Sequence, residues 1–132
     1  MSLAYKDRKI AAPSISPDTK AFWDACAAGK LLLKQCEKCQ ELHYYPRPSC
    51  PFCGHGETKW IESKGTGTIY TYSVTRRVEV PYCFAFVTLD EGVTMMTNIA
   101  DCDLDSVRIG QRVRVVFKPT DGGPPVPMFT PA

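Results

Sequence analysis

Four cysteines constrain this chain more than any other group of residues. They form two Cys-x-x-Cys pairs, Cys36 with Cys39 and Cys50 with Cys53, and ten residues separate the pairs. A tight turn within each pair can bring two sulfurs to one ion, and two such turns complete the tetrahedral shell that Zn²⁺ prefers. Because four thiolates leave no coordination position for water, the pattern predicts a structural zinc site in a rubredoxin-like zinc ribbon.

Three other uses of these cysteines are alternatives to zinc binding. A disulfide framework is typical of secreted chains, but no signal peptide opens this sequence and the number of cysteines, seven, is odd. A redox-active Cys-x-x-Cys pair normally stands alone at the start of a helix, whereas here the pair is duplicated. An iron centre of the rubredoxin type uses the same four thiolates, so iron stays open as an alternative to zinc.

The remaining cysteines and the two histidines are predicted to have no part in metal binding. Cys26, Cys83 and Cys102 have no partner at a ligand-like spacing, so we expect them to be small buried side chains. Because four thiolates are already available, we expect His43 and His55 to lie on the surface.

The size and charge of the chain limit its location and its partners. With 132 residues, 44% of them apolar, it can form one or two small domains with a packed core. Its apolar runs are too short to span a membrane, and reduced cysteines without a targeting segment indicate the cytoplasm. Residues 64–132 carry seven basic and seven acidic side chains, whereas a nucleic-acid-binding domain usually has a clear positive excess.

A short helix is predicted before the first cysteine pair. Ser16 offers a hydroxyl cap, Pro17 suits the first helical position, and Gly29 suits the end of the helix. Phe22 lies on the apolar face and Trp23 lies beside it. We expect these two rings to pack the helix onto the rest of the protein, with contact to a partner protein as the alternative.

The second half of the chain is predicted to be a β-barrel. We expect strands near residues 65–74, 83–89, 93–99, 113–117 and 128–130. A long first strand bent by glycines, and an irregular insertion between the third and fourth strands, are typical of a five-stranded OB-fold, with an SH3-like barrel as the alternative. The predicted organisation is therefore mainly β: an N-terminal helical segment (1–35), the ribbon (36–63) and the OB-fold (64–132).

Alternation of side chains assigns the two faces of the predicted barrel strands. The face expected to fill the barrel is compact and apolar: Cys83, Ala85, Val87 and Leu89, with Val113 and Val115 later in the chain. Phe84 and Phe86 share the other face of their strand, and we expect them to lie on the outer surface with Tyr70 and Tyr72. Aromatic rings there can stack on a base or an adenine, unless the ribbon, the helix or a partner covers them.

The whole arrangement resembles the acyl-CoA-associated OB-fold proteins, the domain-of-unknown-function family thirty-five. The matching residues run through nearly the whole chain: Phe22-Trp23, Gly29, the four cysteines, Pro46-Arg47-Pro48, Pro51, Gly54, Trp60, Ser63-Lys64-Gly65-Thr66-Gly67, Leu89-Asp90-Glu91-Gly92, Gly110 and Pro127-Met128-Phe129. One departure is Gln40, because the family often has glycine directly after the first Cys-x-x-Cys. We expect some strain in that turn, although the cysteines themselves are intact.

The resemblance implies a non-catalytic accessory protein that helps a thiolase-like enzyme to bind or pass acyl-CoA, with hydratase-like or aldolase partners in some relatives. For the ligand we predict cations at Arg76 and Arg77, which can pair with phosphate, and aromatic rings at Phe84 and Phe86. The sequence contains none of the common hydrolase, metalloprotease or nucleotide-binding motifs, which argues against an independent enzyme. A zinc-ribbon and OB-fold module that binds nucleic acid is the alternative function, and a homo-oligomer is left open.

Overall fold

The computed structural model describes residues 2–132. One α-helix comes first in this part of the chain: α1 (Lys20–Ala27). Three ribbon strands follow: β1 (Leu32–Cys36), β2 (Leu42–His43) and β3 (Thr58–Glu62). Five further strands complete the fold: β4 (Thr66–Thr75), β5 (Tyr82–Leu89), β6 (Thr94–Ile99), β7 (Arg112–Lys118) and β8 (Val126–Pro131). Within residues 2–132, no helix has the length and apolar character needed to cross a lipid bilayer.

Helix α1 begins a turn later than the sequence predicts. The Thr19 N–H donates to the Ser16 carbonyl over 3.1 Å, and the Ser16 N–H donates to the Thr19 hydroxyl over 3.1 Å. Residues 16–19 therefore close a separate turn, and Pro17 lies outside the helix. The predicted end is confirmed, because Gly29 has a φ of +80°, which a side chain would disfavour.

Packing of the helix through its two aromatic rings is confirmed. Phe22 and Trp23 are 0% and 6% exposed. The Phe22 ring centre lies 5.7 Å from that of Tyr44 and 5.5 Å from that of Tyr45. The Trp23 Nε1–H donates to the Tyr45 hydroxyl over 2.9 Å. The helix is therefore held against the segment that leaves β2, and its two rings belong to the same apolar cluster as the inward residues of the barrel.

The five later strands form a closed barrel in the order β4-β5-β6-β8-β7, as predicted for an OB-fold. Strands β6 and β8 pair in parallel, and the other neighbours are antiparallel. The predicted inner face is confirmed, since five of its residues are at most 2% exposed: Cys83, Ala85, Val87, Leu89 and Val113. Val115 is half-buried and packs against this core.

A β-bulge at Tyr70 changes the facing of the first barrel strand. Ile69 pairs with Val87, but Thr71 pairs with the next residue along β5, Phe86, so Tyr70 has no partner. The extra residue reverses the alternation that follows it. Tyr70 is therefore 68% exposed, whereas Tyr72 turns inward and packs against the core. The prediction that Tyr72 lies on the outer face is wrong.

A carboxylate joins the ribbon to the barrel. Glu91, in the turn between β5 and β6, accepts a hydrogen bond from the Ser63 hydroxyl over 2.9 Å and another from the Lys64 N–H over 2.8 Å. The Ser63 hydroxyl also accepts from the Gly65 N–H over 3.0 Å. These bonds, which we call the Glu91 clamp, fix the linker that leads from β3 into β4.

The N-terminal segment, residues 2–12, lies extended against the barrel. The Leu3 N–H donates to a carboxylate oxygen of Asp103 over 2.7 Å, and the Leu3 carbonyl accepts from Leu104 over 2.7 Å. The Tyr5 N–H donates to the carbonyl of Cys102 over 2.9 Å. The segment is thus paired with the connection between β6 and β7, and Asp103 carries the first of these contacts.

Replacing Asp103 should release this segment. Hydrogen bonds from the Leu3 and Asp105 N–H groups lower the pKa of Asp103. Because its pKa is lower in the folded state, the Asp103 carboxylate contributes its full stabilisation above the ordinary Asp pKa of about 3.9. This stabilisation is lost as the pH falls through the lowered pKa. We expect Asp103→Ala to lower the amide protection factors of residues 2–12 at neutral pH, and acid to lower them in the wild type. Unchanged exchange relative to an Asp18→Ala control would contradict this.

Candidate metal centre and binding surface

The two Cys-x-x-Cys turns have the same backbone geometry. The Gln40 N–H donates to the Cys36 carbonyl over 3.1 Å, and the Gly54 N–H donates to the Cys50 carbonyl over 3.0 Å. Both residues after the pairs have positive φ, +66° at Gln40 and +79° at Gly54. Strand β1 carries the first turn and the segment after the prolines carries the second, so the two turns face each other.

The four sulfurs meet in one cluster. All four Sγ atoms lie within 4.8 Å of one another, and the Cys36–Cys53 and Cys39–Cys50 distances are each 3.6 Å. With Zn–S bonds of about 2.3 Å, sulfurs at the corners of a tetrahedron lie about 3.8 Å apart. Four soft donors at nearly this spacing fit a zinc ion. Within the described residues, this metal-binding cluster comprises the four cysteines and neither histidine.

Backbone N–H groups prepare the first cysteine of each turn to bind metal. Lys38 and Cys39 donate to the Cys36 sulfur over 3.3 and 3.4 Å, and Phe52 donates to the Cys50 sulfur over 3.3 Å. Burial raises the pKa of the Cys36 thiol, but these donors and the neighbouring thiols outweigh it, and the pKa is lowered to about 6. The pKa of Cys50 is lowered by the same balance. The thiolate, which is the metal-binding form, is therefore favoured.

The strain at Gln40 can be tested by exchanging the residues that follow the two pairs. A non-glycine residue in the left-handed region costs about 1–2 kcal/mol, so Gln40→Gly should raise the free energy of unfolding by up to about 1 kcal/mol. Gly54→Ala introduces the same strain in the matching turn and should lower it by about 1 kcal/mol. Urea unfolding of the zinc-loaded protein measures both. Loss of stability in Gln40→Gly would show that its side chain, not its backbone, matters there.

The prediction of a surface position is wrong for His43. This side chain is 4% exposed, and its Nε2 accepts a hydrogen bond from the Arg47 N–H over 3.1 Å. Burial lowers the pKa of His43, so the ring is neutral, and because Nε2 accepts, its proton is on Nδ1. Among the described residues Nδ1 has no hydrogen-bond partner. His55 is half-exposed.

The residues predicted to contact the ligand all lie on the β4–β5 hairpin. Arg76 pairs with Asp105 over 2.6 Å, and Arg77 is exposed. Phe84 is 37% exposed, and Phe86 is half-buried on the same outward face. The hairpin thus presents two cations near its tip and two rings along its second strand.

Outward side chains on β4, β5 and β6 form an uncharged face that sequence reasoning did not identify. Register and alternation place these residues together: Thr71, Ser73, Thr75, Tyr82, Phe84, Phe86, Thr88, Thr94, Met96 and Asn98. None of them carries a charge. The set could not be assembled from the sequence because the bulge at Tyr70 decides which residues of β4 point outward.

Two clefts adjoin this face. The ribbon cleft, about 420 Å³, lies between residues 41–45 with Arg47, Pro51 and Phe52 on one side and Gly92–Thr94 on the other. The helix cleft, about 250 Å³, is lined by Arg8, Ile10, Trp23 and Tyr44 and by residues 96–98 and 126–128. Tyr44 lines both, so the two clefts share this residue.

Two family models match consecutive parts of the chain. Residues 23–58 match the model described as "ChsH2, rubredoxin-like zinc ribbon domain". Residues 60–118 match "ChsH2, C-terminal OB-fold domain". Both agree with the ribbon and the barrel seen in the structure.

Curated relatives and a solved structure agree with these models. Over 91 residues the chain is 34% identical to a "DUF35 domain-containing scaffold protein" of Methanothermobacter thermautotrophicus, covering 64% of this chain and 68% of that protein. Over 125 residues it is 32% identical to a "Probable enoyl-CoA hydratase alpha subunit" of Thermomonospora curvata, covering 91% of this chain but only 39% of that protein. A chain of the solved "Ltp2-ChsH2(DUF35) aldolase" superposes with a TM-score of 0.78 at 31% identity, covering 90% of this chain and 98% of that one. The chain therefore belongs to the DUF35 family of proteins that combine a rubredoxin-like zinc ribbon with an OB-fold.

Proposed function

We propose that the chain is a non-catalytic accessory subunit that binds acyl-CoA and docks onto the enzyme that acts on it, with a thiolase-like enzyme as the predicted partner. The observation that carries this proposal is the β4–β5 hairpin, which combines two arginines with outward aromatic rings beside an uncharged face. Uncharged surfaces with aromatic residues and methionine are typical of the centres of protein interfaces. The names of the relatives, which include scaffold proteins, hydratase subunits and an aldolase complex, support the same role.

In this proposal the metal is structural. Cys36, Cys39, Cys50 and Cys53 bind one Zn²⁺, which holds the two turns of the ribbon together. The ion would supply folding free energy to a segment that has little apolar core of its own. The chain's contribution to the reaction is therefore to bind and orient, and the chemistry belongs to the partner.

The ligand contacts proposed for the hairpin follow from its chemistry. The guanidinium groups of Arg76 and Arg77 can each form paired hydrogen bonds to phosphate oxygens. Arg76 already pairs with Asp105, so a phosphate would compete with that carboxylate. Phe84 and Phe86 offer ring faces on which the adenine of CoA can stack.

Parallel titrations of CoA and a single-stranded oligonucleotide test the proposal, with and without the enzyme that co-purifies from the native host. CoA should bind, and Arg76→Ala/Arg77→Ala should weaken that binding at least about tenfold. Lys59→Ala/Arg114→Ala removes the same charge elsewhere and should bind like wild type. Tight, salt-sensitive oligonucleotide binding, with no response to CoA either with or without that enzyme, would favour the nucleic-acid alternative instead.

A further inference from the structure

The fold leaves one buried hydrogen-bond donor of the ribbon unexplained. The Nδ1–H of His43 is fully buried and has no acceptor among the described residues. A buried donor without a partner costs about 1–3 kcal/mol, so such groups call for an explanation. The opposite edge of the ring is already fixed by the Arg47 N–H. Rotating the ring to bring the Nδ1–H to an acceptor would break the bond from Arg47. The acceptor therefore has to come to Nδ1.

His43 is one of the residues that line the ribbon cleft. At about 420 Å³ this cleft is within the range of small-molecule sites and is far larger than a single water needs. It lies between the ribbon and the barrel, a common position for ligand sites. Together with the unpartnered donor, its size indicates an organic ligand that carries a hydrogen-bond acceptor.

The charge of the ribbon cleft limits what that ligand can be. Its lining includes one cation, Arg47, and one anion, Glu41, beside apolar side chains such as Leu42, Phe52 and Val93. The two charges balance, so the cleft has no excess positive charge for phosphates. The cleft therefore suits a neutral, extended group with carbonyl acceptors.

A cation lies at the helix cleft instead. Arg8 lines the helix cleft, and its guanidinium lies 4.2 Å from the ring centre of Tyr82, which precedes Phe84 on the outward side of β5. Met96, which also lines the helix cleft, pairs directly with Phe86. The hairpin thus adjoins the helix cleft at Met96, and the helix cleft shares Tyr44 with the ribbon cleft.

We propose that the helix cleft and the ribbon cleft form one groove for a pantetheine arm, with the Nδ1–H of His43 donating to one of its amide or thioester carbonyls. This inference rests on the proposed function, in which the phosphates lie at the hairpin. The arm is neutral and carries two amides, which matches the charge balance and the donor of the ribbon cleft. Because Nδ1 is buried and the Arg47 N–H holds the ring, the cleft wall shifts as the carbonyl arrives.

The arm is carried by CoA and also by phosphopantetheine on acyl carrier proteins, and both sources present the same amides. Free pantetheine is therefore the first probe, followed by CoA and by a carrier protein with and without its phosphopantetheine. Binding of pantetheine supports the groove whichever source prevails. The two later probes then show whether the arm is delivered by CoA or by a carrier protein.

Nitrogen NMR of the imidazoles gives a direct readout, because the chain contains only two histidines. With ¹⁵N-labelled histidine, pantetheine should produce a saturable shift of the His43 Nδ1 signal and leave the His55 signals unchanged. An unchanged His43 signal at millimolar pantetheine would overturn the proposal. A shift of both histidines alike would also overturn it, since that would report a general effect of the solution.

A matched pair of variants tests the path of the arm. Thr94 is exposed at the rim of the ribbon cleft, and its hydroxyl lies 2.9 Å from that of its cross-strand partner Thr88, which lines neither cleft. Thr94→Phe should block the cleft and weaken pantetheine binding at least about tenfold, whereas Thr88→Phe loses the same hydrogen bond and should bind normally. Phe52→Ala, at a 65% exposed position on the opposite wall, should also weaken binding.

The outcomes separate this inference from the proposed function. If CoA binding depends on Arg76 and Arg77 but Thr94→Phe and Phe52→Ala bind it like wild type, the accessory role stands and the groove is wrong. If pantetheine binds in the groove while the arginine variant keeps full CoA affinity, the groove stands and the phosphate site is wrong. Thermal unfolding of each variant confirms that it is folded before binding is measured.

Discussion

Loss of the metal should unfold the ribbon while the barrel stays folded. In zinc-finger peptides, zinc binding supplies about 10–16 kcal/mol of apparent folding free energy near neutral pH, and this ribbon has only three short strands of its own. The barrel instead has a closed sheet, and most of the buried apolar residues lie in its half of the chain, from Ile69 onward. We expect the wild type to contain about one zinc per chain and Cys50→Ser to lose most of it. The variant should also expose β1–β3 to amide exchange. Strands β4–β8 should keep their protection.

Cys102→Ser provides the control for this experiment, because that thiol lies outside the four-sulfur cluster. It should keep its zinc and its ribbon. Elemental analysis and hydrogen exchange of the three proteins measure both quantities. A metal-free wild type with a Cys36–Cys39 disulfide, after purification under reducing conditions, would end the structural-zinc proposal.

Truncating the barrel core should be the most costly single change outside the metal centre. Leu89 is 2% exposed and lies among the inward residues of β5. Leu89→Ala should lower the free energy of unfolding by about 2–5 kcal/mol through lost burial and the cavity that remains. Ile109→Ala removes a similar aliphatic group at a 68% exposed position and should change stability by less than about 0.5 kcal/mol. Urea denaturation followed by fluorescence compares them, and a cost below about 1 kcal/mol for Leu89→Ala would contradict the assigned core.

Short-range patterns were sufficient to predict most of the fold. The Cys-x-x-Cys spacing predicted the sulfur cluster, because the two sulfurs of each pair are held by a local turn. The alternation from Cys83 to Leu89 predicted the buried face, because the strand has no irregularity between these residues. In both cases a few neighbouring residues contain all the information that the geometry requires.

The errors arose where distant residues decide the structure. A bulge at Tyr70 cannot be located from β4 alone, since it is defined by the register against β5, and so the alternation of β4 predicts the wrong face for Tyr72. The burial of His43 depends on how the ribbon lies against the barrel, which the sequence near His43 does not encode. At α1 the difference has a local cause. The Thr19 hydroxyl accepts a hydrogen bond from the Ser16 N–H, and the turn that this bond closes takes the place of the predicted first turn of the helix.

The turn between β5 and β6 has a consequence for how this protein can change in evolution. One of its residues, Glu91, holds the ribbon linker, and the next three, Gly92–Thr94, form the barrel wall of the ribbon cleft. The length of this turn therefore sets both the angle between the domains and the width of the cleft. Inserting or deleting a single residue here would alter the two together, whereas substitutions along the opposite wall can change the lining and leave the domain arrangement intact.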